Sequence, residues 1–111
     1  MKSLENNTMK DLIPYYAVIF TSKRTEDHHE TYGEMAQKMA QLVQHQKGFL
    51  GMETARNDIG ITISYWESLE AIQNWKENWE HLEAQNKGKI DWYEWYKVRI
   101  CKIEREYDFE T

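Results

Sequence analysis

From Tyr15 to Ser22 the chain reads YYAVIFTS, a short β-branched and aromatic run bounded by Pro14 and by the charged stretch Lys23 to Asp27, and this predicts a strand. From Thr31 the period changes. Tyr32, Met35, Met39, Leu42 and Val43 recur at three- and four-residue spacing, which places them on one face of a helix. Thr31 with Glu34 has capping-box spacing, Asp27 with Glu30 offers an earlier carboxylate cap, and Gly48 is a natural stop. Two further strand-like runs, Phe49 to Arg56 and Ile61 to Trp66, flank Asn57, Asp58, Ile59 and Gly60. Asn, Asp and Gly tolerate positive φ, so this segment predicts a hairpin turn. Ser68 can cap a second helix carrying Ile72, Trp75, Trp79 and Leu82, which Gly88 interrupts. Tyr96 to Glu106 (YKVRICKIERE) alternates as a closing strand.

The order strand, helix, hairpin, helix, strand is that of an α+β domain of the ferredoxin-like βαββαβ type, with a four-stranded antiparallel sheet. It is expected over residues 15–106, between a polar N-terminal arm (1–14) that carries no chemistry and a C-terminal tail (107–111). The strands are not cleanly amphipathic. Tyr15, Ala17 and Ile19 point one way and Tyr16, Val18 and Phe20 the other, so both faces of the first strand are apolar. Two helices cover only one face of such a sheet, and the other would expose a large apolar patch. A second copy of the chain is the simplest lid, giving a homodimer through the sheet face; a bound ligand or the N-terminal arm is the alternative.

Composition narrows the function classes. With 111 residues, 41% of them hydrophobic and 14% aromatic, the chain can build a real core. Fourteen Lys and Arg against 19 Asp and Glu give a net charge of −5, which disfavours attraction to phosphate backbones or anionic lipid, so neither nucleic acid nor membrane is an expected partner. An RNA-recognition module shares the βαββαβ order, but its aromatic Lys/Arg-Gly motif is missing. The lone Cys101 makes no internal disulfide and reads as a buried thiol in a reducing compartment. No apolar stretch approaches the ~18 residues of a membrane span, and the start lacks the apolar core of a signal peptide, so a cytoplasmic location is expected.

Ser64-Tyr65-Trp66-Glu67-Ser68, followed by Leu69-Glu70-Ala71 and a helix with a histidine about fifteen positions after Trp66, resembles the antibiotic biosynthesis monooxygenase (ABM) domain family. Gln46-Lys47-Gly48-Phe49-Leu50-Gly51 is similar to that family's link from first helix to second strand. The resemblance runs from Tyr15 to Ile103 and is closest to small uncharacterised bacterial members. It implies a dimeric α+β barrel and a monooxygenase that oxygenates an aromatic or quinol-like molecule in the barrel cavity with no cofactor and no metal. A deprotonated quinol or anthrone can itself give an electron to dioxygen. The protein need only exclude water, stack the ring and remove a proton.

The resemblance implies His81 as the base, with one extra residue between it and Trp66. On an unbroken helix, however, His81 falls almost opposite the Ile72, Trp75, Trp79 and Leu82 stripe, and only a break near Asn78 turns it inward. Arg99, if inward-facing, would be a buried cation wanting a phenolate or carboxylate; a solvated edge is the other reading. Trp66, Trp75, Phe20 and Tyr93 are the candidate ring-stacking set. Against this, Trp66 and Trp75 read more simply as packing, and the cluster of Tyr93, Trp95 and Tyr96 as a dimer seam. Gln85 stands where the family's haem-degrading branch places its iron-ligating histidine, which makes haem degradation unlike this chain. His28 and His29 read as surface residues, and Met35, Met39 and Met52 as core fillers.

The competing class is a non-catalytic dimeric module that shelters a hydrophobic metabolite. An enzyme needs a polar group facing the bound ring, whereas a binder can have uniformly apolar walls. Placement of both His81 and Arg99 fully in solvent would remove the catalytic assignment.

Overall fold

The computed structural model describes residues 9–26, 29–86 and 92–111; the side chains of 29–31 and 82–86 lie outside that description. Its elements are α1 (Met9–Asp11), β1 (Tyr15–Arg24), α2 (His29–Val43), β2 (Phe49–Arg56), β3 (Ile59–Trp66), α3 (Leu69–Asn86) and β4 (Tyr93–Ile103). The four strands form one antiparallel sheet in the order β2-β3-β1-β4, the ferredoxin-like arrangement.

The hairpin between β2 and β3 is tighter than its sequence suggests, because β2–β3 pairing continues to Arg56↔Gly60 and leaves only Asn57, Asp58 and Ile59 in the turn. β4 begins at Tyr93, so the aromatic cluster belongs to the strand. Ser68 caps α3, its Oγ accepting from the Ala71 amide at 3.1 Å. The proposed stop at Gly88 and the residues Asp27 and His28 lie outside the described residues, as do the side chains of His29, Glu30, Thr31 and Leu82.

Strand alternation sorts the side chains. Tyr16, Val18 and Phe20 of β1 pair across the ladder with Trp66, Ser64 and Thr62 of β3 and with Lys102, Ile100 and Val98 of β4. This is the face the helices cover: Val43, Trp66, Ala71 and Ile72 form its buried cluster, with Tyr16, Val18, Phe49 and Trp75 packed against them. Trp66 is 0% exposed and anchors it. The chain enters β2 close against α3. Gly48 has φ +87°, and a Cβ there would lie 2.6 Å from the Ala71 Cβ, so the position demands glycine on two counts.

The opposite face holds Tyr15, Ala17, Ile19, Ile61, Ile63 and Tyr65. A bulge at Leu50, between Phe49 and Gly51, sends that side chain to the same side. One end of this face is covered from within the chain: Met9 of α1 is buried with Tyr15 and Leu50, and Ile13, Tyr65 and Ile103 pack around them. The described end of the arm, residues 9–14, is thus a strap over part of the sheet. Its Lys10 Nζ meets the Asp108 carboxylate at 2.5 Å, while the Tyr15 hydroxyl donates to Glu106 and the Tyr65 hydroxyl donates to Glu53 at 2.6 Å. Burial, reinforced by the hydrogen bond to Glu53, pushes the Tyr65 hydroxyl up to about 12, and the same two causes raise Tyr15 further, with Glu106 as its partner. Beyond the strap, Ile61 (42% exposed) and Trp95 (44%) stand open.

Candidate functional site

Between the sheet and the two long helices lies a cavity of about 380 Å³. It is on the helical side of the sheet, not on the open face that a partner sheet would enclose. Its floor is Val18 and Phe20 of β1, with Tyr96, Val98 and Ile100 of β4 on one side and Met52, Thr54, Thr62 and Ser64 of β2 and β3 on the other. α2 contributes Tyr32, Met35, Met39 and Val43, and α3 contributes Ile72, Trp75, Lys76 and Trp79. Met52, Val98 and Ile100 line the cavity and are nevertheless exposed, so the sheet side of its mouth is apolar.

One wall is a continuous set of rings. Phe20 stacks on Tyr96 with centroids 5.1 Å apart, and Trp79 meets Phe20 and Tyr96 edge-on at 6.0 and 5.8 Å. Tyr93 is edge-on to Phe20 at 5.6 Å and to Tyr32 at 5.7 Å. Such offset and edge contacts fix ring orientation and leave faces and edges of defined polarity for a guest ring. Tyr32 is held from behind by Arg24, whose guanidinium carbon lies 3.8 Å from the ring centroid. Arg56 lies 5.8 Å from the same centroid, and its Nη2 donates to the fully buried Ser22 Oγ at 2.8 Å.

The facing wall is polar in one row. Thr54 and Thr62 are cross-strand partners whose hydroxyl oxygens are 2.9 Å apart, and Ser64 follows one alternation step along β3. The Ser64 Oγ accepts the Trp66 indole N–H at 2.9 Å. No carboxylate or imidazole is among the described lining residues; Lys76 is their one charged side chain.

The sequence candidates separate accordingly. Phe20, Trp75 and Tyr93 line the cavity. Trp66 does not; it is sealed in the core beneath, stacked on Trp75 and bonded to the cavity hydroxyl of Ser64. α3 continues through Asn78, whose Nδ2 donates to Gln46 Oε1 at 3.1 Å, so no break turns His81 inward, and His81 is exposed away from the lining. Arg99 pairs with Ile19 on the open face and is exposed there, so the inward-facing reading does not hold for this cavity. Among the described residues no three His, Cys, Asp or Glu side chains are grouped to hold a metal. The helices among them include none long and apolar enough to cross a membrane.

Sequence reasoning missed Lys76 and the Thr54, Thr62 and Ser64 row. Alternation would have found the row, since Met52 and Thr54 share a face of β2, and Thr62 and Ser64 share a face of β3 with Trp66.

Comparison with known proteins agrees with this architecture. The chain is 46% identical over 99 residues to the uncharacterized protein YqjZ of Bacillus subtilis (strain 168), covering 87% of this chain and 86% of that one. Its fold is shared by a conserved protein from Methanosarcina mazei (TM-score 0.70, 6% identity, 85% of this chain and 96% of that one). It is shared too by a variant of SnoaB, a cofactor-independent oxygenase from Streptomyces nogalater (TM-score 0.64, 10% identity, 79% of this chain and 91% of that one). The family model of antibiotic biosynthesis monooxygenase matches residues 15–87, and the chain belongs to the ABM family.

Proposed function

We propose that this chain binds a planar aromatic, quinol-like small molecule between its helices and its sheet and oxygenates it without metal or flavin. The observation that carries the reading is the cavity of about 380 Å³ with a ring-lined wall facing a row of hydroxyls. Its size and mixed lining suit a small aromatic guest whose substituents hydrogen-bond at one edge. In the reaction, an anthrone-like carbon loses a proton to water, the carbanion gives an electron to dioxygen, the substrate radical and superoxide join as a carbon-bound peroxide anion, and a proton from water converts it to the hydroperoxide. Loss of water then leaves a ketone. One oxygen atom enters the product and the other leaves as water, so the substrate supplies every electron and no reductant is needed. With no imidazole or carboxylate among the described lining residues, the part these residues play is to stack the ring, exclude water and favour its ionised form.

The second reading, binding without catalysis, is favoured by one observation: His81 and Arg99 are both exposed and neither lines the cavity. Dioxygen uptake separates the two. Purified protein, without added metal or flavin, is tested against reduced quinols and anthrones beside Ala40→Phe, which fills the cavity from α2, and His81→Ala. Uptake above the uncatalysed rate that Ala40→Phe abolishes supports the oxygenase. Ligand binding with no uptake from any compound leaves the binding module, and a drop in His81→Ala alone would return a role to that histidine.

The active form we propose is a homodimer closed through the open sheet face, where Ile61 and Trp95 stand exposed beside Ile19 and Ile63. The lone, partly buried Cys101, which has no second cysteine to pair with in this sequence, supports a reducing, cytoplasmic location.

A further inference from the structure

Ile72, Trp75, Lys76 and Trp79 fall within an arc of about 100° on α3, the sector turned to the sheet. Lys76 therefore occupies a position at which such a helix ordinarily places an apolar side chain. It lies one turn after Ile72 and three residues before Trp79, lines the cavity and is exposed, which sets its ammonium at the mouth. A lysine stem can follow apolar surface while its head stays at the water boundary. Glu80 stands at i+4, yet Lys76 makes no ion pair among the described residues. The described lining holds no carboxylate, although the chain as a whole carries a net charge of −5. Lys76 is the one charged side chain among the described lining residues, and Arg24 and Arg56 lie against the lining ring of Tyr32, so the charge next to the cavity is positive in an otherwise acidic chain, which favours a negative guest.

We propose that the cavity takes a planar aromatic anion, its rings against the Phe20, Trp79 and Tyr96 wall and its charge held at the mouth by the Lys76 ammonium. This rests on the reading of the cavity as an aromatic binding site and adds the charge of the ligand to it. Lys76 is a specificity residue here, and it favours the ionised form of a phenolic guest over the neutral one.

Two fluorescent probes of matched shape test this: anilinonaphthalene sulfonate, which is anionic, and N-phenylnaphthylamine, its uncharged counterpart. Each is titrated into the full chain, Lys76→Met, Lys76→Arg and Ala40→Phe. The unaltered chain is expected to prefer the sulfonate. Lys76→Met should weaken the sulfonate by about 3- to 10-fold, leave the neutral probe within about twofold, and be rescued by Lys76→Arg, as for a partly screened ion pair. Ala40→Phe should weaken both. If Lys76→Met changes both probes alike, or neither, the inference fails while the cavity reading stands. Should neither probe bind, or Ala40→Phe leave both untouched, the cavity reading itself is overturned, and the inference with it.

Discussion

Trp66 and Trp75 stack with ring centroids 6.3 Å apart and planes 27° from parallel, yet only Trp75 reaches the cavity. The pair divides the work between core and site. Truncating Trp66, which is fully buried, should destabilise the fold by about 3–5 kcal/mol. Trp75→Ala, at a half-buried position, should cost less in stability and more in aromatic ligand affinity. Urea denaturation beside probe binding measures both, and equal loss of stability in the two variants would contradict the division.

Gly48→Ala should destabilise by about 1–3 kcal/mol, because a non-glycine residue at positive φ is strained whatever the space. Here the space is missing too, since the new methyl would meet Ala71. Thermal unfolding of Gly48→Ala and of Gly48→Ala with Ala71→Gly separates the two: the second change should relieve the clash and leave the strain.

The raised Tyr65 hydroxyl makes a pH prediction. Its folded value of about 12 lies above the ordinary 10.0, so the folded state holds this proton more tightly than the unfolded chain does. The associated stability is intact below pH 10 and is lost as pH rises toward 12. Tyr15 is shifted in the same direction and adds to the loss. Alkaline unfolding should therefore be shallower in Tyr65→Phe than in the unaltered chain, and an unchanged slope would refute the assignment.

The proposed dimer predicts a sedimentation mass of two chains at micromolar concentration. Ile61→Glu, at an exposed open-face position, should halve that mass without unfolding the protein. A single-chain mass before mutation would leave the open face without its proposed lid.

Much of this was legible in the chain. Short β-branched and aromatic runs announced the strands and 3.6-residue periodicity the two long helices, and the 100° step per residue already set His81 opposite the stripe of Trp75 and Trp79, where the continuous α3 leaves it. β4 was harder: Lys97, Arg99 and Cys101 alternate with Tyr96, Val98 and Ile100, and a mixed stripe beside an apolar one does not say which side the helices cover. The α1 strap carries no periodic signal because it is a three-residue turn, and the burial of Met9 is decided by Tyr15 and Leu50, distant in sequence from each other. Lys76 was invisible for a related reason, since a lysine in a helix pattern reads as solvent until the floor beneath it is known.

Three of the five tryptophans, Trp75, Trp79 and Trp92, form part of the cavity lining, while Trp66 lies directly behind it. Indole emission shifts with the polarity and the π-partners around it, so occupancy of the site will be written into the protein's own ultraviolet spectrum. A guest that displaces water from these rings should shift and quench that emission without any label, which makes the chain a ready optical detector for screening compound libraries against itself.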